Sequence, residues 1–174
     1  TLCSLEFVEA KVNHGMTYDL VRDFLEAEKR VPNPDLLGSA WIEWKQFVDL
    51  EAGNLDRYAK EFPQITFQQA YNQPINGVVS RAAQELRIAG NSPKTHWFER
   101  VNRPEEFARS ACLKVMEGHT WKMLHIALTG DGRVISVCMH SIPTVVGHVY
   151  SAWSNTTLRV WDLETGQCLK VMDT

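Results

Sequence analysis

At 174 residues the chain has room for one domain or two small ones, and a 44% hydrophobic content with a net charge of −3 excludes both a disordered polymer and the basic footprint of a nucleic-acid binder. No apolar run approaches the ~18 residues of a bilayer span, and Thr1 to Glu6 lack the basic start and apolar core of a secretory signal. These features predict a cytoplasmic chain without a membrane partner.

From Leu5 the apolar residues Leu5, Val8 and Val12 recur at helical spacing until His14-Gly15 interrupts. Thr17 then offers a cap for a second helix, with Leu20, Val21, Phe24 and Leu25 on one face and a charged end at Glu26 to Arg30. Pro32 and Pro34 enforce a break, since neither can continue a helix. Trp41, Trp44, Val48, Leu55 and Tyr58 extend an apolar stripe past Gly53, and two tryptophans on one face predict a packed interhelical seam. Ile65 to Tyr71 reads as a short helix, and Val78 to Leu86 as another, stopped by Gly90-Asn91-Ser92-Pro93. Residues 1–90 are thus expected to form an all-helical arm of short antiparallel helices. Residues 91–110, with Trp97, Phe98 and Phe107 but no periodicity, read as a connector strapped onto its neighbours, because a flexible linker would be polar.

The last third carries a repeat. Cys112-Leu113-Lys114-Val115-Met116 returns unchanged as Cys168-Leu169-Lys170-Val171-Met172, with Gly118-His119 near the start and Trp161-Asp162 near the end of the interval. A Gly-His and a Trp-Asp bracketing one repeat is the signature of a WD-type β-propeller blade, whose period is about 40 to 45 residues. The copies here are 56 residues apart, so an insertion of 14 residues is placed at 137–150. Strands are expected at 112–116, 123–128, from Arg133 to Ser136, at 157–161 and at 168–172, with turns at 129–132 and 163–166 and a polar turn near Asn155. The fold class is α+β: a helical N-terminal region followed, over 111–174, by a clasp strand and one incomplete propeller blade.

The string Leu2 to Lys11, then Tyr18-Asp19-Leu20-Val21 and, downstream, Phe67 to Pro74, resembles the helical arm that precedes the WD propeller in STAND-type signalling NTPases, the class of apoptotic protease-activating factor. That resemblance covers the arm and the first repeat. It implies a non-catalytic protein-interaction or scaffold segment, one that couples a propeller sensor to a nucleotide-binding module upstream in the same parent chain. Chain ends at Thr1 and at Met172-Asp173-Thr174, where a next Gly-His is expected, predict a segment of a longer protein. The resemblance also implies a buried hydrogen-bonded tetrad of His119, Ser151, Asn155 and Trp161, with Asn155 standing where the family has aspartate and Ser136 competing with Ser151 for the serine position. Within 137–150, Val145, Val146, Val149 and Tyr150 are the candidate contacts for a protein partner.

Enzymatic motifs are lacking. Gly90-Asn91-Ser92-Pro93-Lys94-Thr95 has proline where a phosphate-cradling loop needs glycine, which removes an amide donor. There is no Gly-x-Ser-x-Gly elbow and no His-Glu-x-x-His helix. Neither cofactor nor metal is expected, and widely spaced Cys3, Cys112, Cys138 and Cys168 suggest buried thiols. An alternative is a metal- or thiol-dependent activity around Cys138, His140 and His148, and a further one is a truncated product without function.

Overall fold

In the computed structural model, described over residues 2–32, 37–107, 112–120, 122–141 and 153–173, with backbone only at 122, 140, 141 and 153–155, five helices precede a four-stranded antiparallel sheet. The chain divides into two compact units, Thr1–Val115 and Met116–Thr174.

The helices are α1 (Leu5–Asn13), α2 (Thr17–Arg30), α3 (Ser39–Tyr58), α4 (Ile65–Tyr71) and α5 (Val78–Ile88), where the apolar spacing puts them. Their buried residues fall three and four apart: Leu5, Val8 and Val12 on α1, Leu20, Val21 and Phe24 on α2, and Trp44, Phe47, Val48 and Leu55 on α3. Phe67 and Ala70 of α4 and Val79 and Ala83 of α5 close the same core. The tryptophan seam forms: Trp44 is buried, and the Trp41 ring lies 4.9 Å from that of Phe24.

Helix ends follow local chemistry. Gly15 adopts φ +72°, and the amides of Gly15 and Met16 donate back to Val12 and Lys11, a pattern that closes α1 by satisfying its last carbonyls. Gly90 at φ +74° closes α5 in the same way. Thr17, expected to cap α2, is instead its first residue; its hydroxyl is buried without a partner among the described residues, and Met16 precedes it. At the start of α5 the cap comes from a distant helix, where Glu43 of α3 accepts from the Val78 amide at 2.6 Å.

The segment 91–107 lies along the helices. Trp97 packs against the core, and the amides of Ile75 and Asn76 donate to the carbonyls of Pro104 and Glu105, both at 2.8 Å. Arg103 donates to the Tyr71 carbonyl and to Ser80 Oγ.

The sheet comprises β1 (Lys122–Leu128), β2 (Arg133–Ser141), β3 (Trp153–Asp162) and β4 (Cys168–Asp173), in the order β1-β2-β3-β4. Tight turns with positive φ at Gly132 and Gly166 join β1 to β2 and β3 to β4. Three sequence expectations are corrected here. Residues 112–116 form no strand, while the identical 168–172 form β4; β4 has β3 to pair with, and the first copy is drawn to the helical unit, where Lys114 Nζ sits 2.9 Å from buried Asp49. β2 continues to Ser141, so the first residues of the expected insertion lengthen a strand. There is no turn at Asn155: β3 runs through it, and the register skips it where Met139 pairs with Thr156 and His140 with Ser154.

Candidate functional site

Strand alternation places Val134, Ser136 and Cys138 on one face of β2, and all three are buried. The pairing of Val134 with Trp161 and of Ser136 with Arg159 brings those β3 side chains to the same face. Across this face lies the segment 116–120. The Trp161 indole N–H donates to Ser136 Oγ at 2.6 Å, and Ser136 Oγ forms a second hydrogen bond with His119 Nε2, also 2.6 Å long. The imidazole and indole rings meet edge-on at 6.0 Å.

Gly118 lets the segment lie close against β3. A side-chain carbon there would collide with the Arg159 guanidinium and approach the far corner of the Trp161 ring at 3.0 Å. The Arg159 guanidinium in turn lies 5.8 Å from the centre of the Trp161 ring. Burial, reinforced by the facing positive charge of Arg159, holds the His119 pKa below the usual histidine range, so the ring is kept neutral.

Of the four tetrad positions, the structure joins His119 and Trp161, through Ser136. Ser151 lies outside the described residues, and so do Val145, Val146, Val149 and Tyr150. Asn155 is described as backbone only, inside β3. His119 Nδ1 is buried without a partner among the described residues. Arg159 was not singled out from sequence; the Leu-Arg-Val-Trp alternation of β3, which puts Arg159 and Trp161 on one face, is the signal that could have found it.

Ser136 is 2% exposed, and its oxygen receives the indole N–H. Cys138 is a buried free thiol on the same face; the side chain of His140, and all of His148, lie outside the described residues. Among the described residues no group of three His, Cys, Asp or Glu side chains is placed to hold a metal ion, and no helix is long and apolar enough to cross a membrane.

No protein-family model matches this chain, and neither a curated protein nor a solved structure matches it.

Proposed function

We propose that residues 116–174 act as one blade of a WD-type propeller, in a non-catalytic interaction segment of a STAND-type signalling NTPase. The observation that carries the reading is a four-stranded antiparallel meander whose outer segment is pinned by His119 onto Ser136 and Trp161. The distribution of apolar surface supports it. On the Ser136 face Ile126 and Leu128 of β1 are 64% and 72% exposed, and Val171 of β4 joins them. On the opposite face Ile135, Val137, Leu158, Val160 and Met172 are only half-buried.

A sheet with apolar residues on both faces is stable only when layers cover both, and propellers provide those layers as neighbouring blades. The function that follows is scaffolding: the blade contributes to a sensor platform for protein partners, coupled to an upstream nucleotide switch. Analytical ultracentrifugation of the purified chain with a hydrophobic dye tests it. Dye binding and concentration-dependent association are expected, both reduced by Ile126→Lys with Leu128→Lys. A monomer that binds no dye would overturn the reading.

A further inference from the structure

Gln64, Gln68 and Asn72 stand four residues apart on one stripe spanning α4 and its two ends, and all three amides meet the main chain of residues 96–100. Gln64 Nε2 donates to the His96 carbonyl at 3.2 Å. Gln68 Oε1 accepts from the Phe98 amide at 2.8 Å, Asn72 Nδ2 donates to the Phe98 carbonyl at 2.8 Å, and Asn72 Oδ1 accepts from the Arg100 amide at 2.7 Å. The match has a geometric basis. Four residues of helix rise ~6 Å, and two residues of extended chain advance ~6.6 Å, so every fourth helical side chain meets every second residue of a chain laid parallel to it.

These backbone bonds are blind to sequence. Selectivity comes from the residues between them. Trp97 enters a slot between Phe67 and Tyr71, with ring centres at 5.2 and 4.7 Å. Glu99 faces two guanidinium groups, Arg87 at 3.4 Å and Arg103 at 3.7 Å, with the Tyr71 hydroxyl at 3.5 Å. Phe98 is 82% exposed among the described residues, and a groove of about 560 Å³ opens beside it between Phe98, Phe62 and Ile65.

We propose that α4 with Arg87 and Arg103 forms a peptide seat for an extended aromatic-x-acidic segment, filled in cis by residues 96–100 and open to exchange with a partner protein carrying the same pattern. The seat lies wholly in the helical unit and does not depend on the propeller reading. A segment tethered in cis competes at millimolar effective concentration, which keeps the seat closed until a partner of matching pattern is abundant or pre-ordered.

The test uses a labelled peptide of sequence Lys-Thr-His-Trp-Phe-Glu-Arg-Val-Asn, copied from residues 94–102, and fluorescence anisotropy against the full chain bearing Trp97→Ala, which vacates the aromatic slot. Saturable binding is expected. It should weaken at least tenfold when Gln68→Ala and Asn72→Ala are added, or when the peptide's tryptophan is replaced by alanine or its glutamate by lysine. No saturable binding to a Trp97→Ala chain of unchanged helical circular dichroism overturns the proposal, as does binding indifferent to the amide substitutions. Should Trp97→Ala lose its helical signal, hydrogen exchange of the wild-type chain decides. The Phe98 and Arg100 amides must exchange at least tenfold faster in millimolar peptide, and unchanged protection overturns the proposal.

Discussion

Ser136 receives the Trp161 indole N–H and is bonded to His119, so one hydroxyl holds two aromatic rings from different segments. Removing it leaves the indole N–H buried and unpaired, an effect of about 1–3 kcal/mol. Ser136→Ala is therefore expected to lower the stability of the sheet unit by that amount, read by urea denaturation; an unchanged midpoint would contradict the pinning role. His119 gives the same site a pH dependence. Its pKa is lowered in the folded state from an ordinary value of 6.5, by burial first and by Arg159 second. The unfolded chain then binds the proton more readily, so stability is full above pH 6.5 and falls as acid protonates the unfolded ring. Urea midpoints of the sheet unit should decline below pH 6.5, and the part of that decline due to this ring should vanish in His119→Gln. At this scale the resemblance put His119 and Trp161 in one tetrad, and both rings are found bonded to one serine. The serine was harder, since Ser136 and Ser151 both suit the pattern and only strand register puts Ser136 under the rings.

Helix α5 illustrates what the element scale adds. Its apolar positions are plain in the sequence, but its first amide, that of Val78, is satisfied by Glu43, 35 residues upstream on α3. No local cap signal announces this; Gly77 is the cap residue, and a side chain there would sit 3.0 Å from the Glu43 carboxylate. Glu43→Ala should destabilise the helical unit by about 0.5–2 kcal/mol, the range for a lost cap, and Glu43→Gln should recover part of it by keeping an acceptor oxygen. Equal midpoints for wild type and Glu43→Ala in thermal or urea melts would dismiss the cap. The two copies of Cys-Leu-Lys-Val-Met make the same point for strands. β4 forms because β3 offers it a hydrogen-bonding edge, whereas the first copy is held by Lys114 against Asp49 of α3, with Lys45 as that carboxylate's other partner. Asn155, read as a turn residue from its neighbours, lies inside β3 because the pairing of β2 carries on to Ser141. Strand pairing is a long-range bond, and a local turn preference of a few tenths of a kcal/mol does not resist it.

For the whole molecule, the helical core draws its residues from Leu2 to Trp97, and the sheet unit has its own buried set in Val134, Ser136, Cys138 and Trp161. Two cores predict two transitions. Phe24→Ala, at a fully buried position, should weaken the helical unit by about 3–5 kcal/mol and leave the Trp161 indole N–H resonance and its urea midpoint in place. A parallel shift of both units would show a single cooperative core instead. The amide stripe of Gln64, Gln68 and Asn72 is not singled out from sequence, because a helix stripe of polar residues ordinarily faces water, and nothing local says that an extended segment 24 or more residues later runs along it. By itself the sequence determined the five helices, the strands at 123–128, 157–161 and 168–172 and the α+β class, because these rest on periodicity and turn signals that act over a turn or two of chain, whereas the pair His119 and Trp161 was an expectation of the family resemblance. Tertiary structure alone decided which serine joins that pair, which copy of the repeat becomes a strand, which side chain caps α5 and where the aromatic connector lies. Each of those is a competition between partners distant in sequence, settled by which hydrogen-bonding edge or buried charge the fold brings within reach.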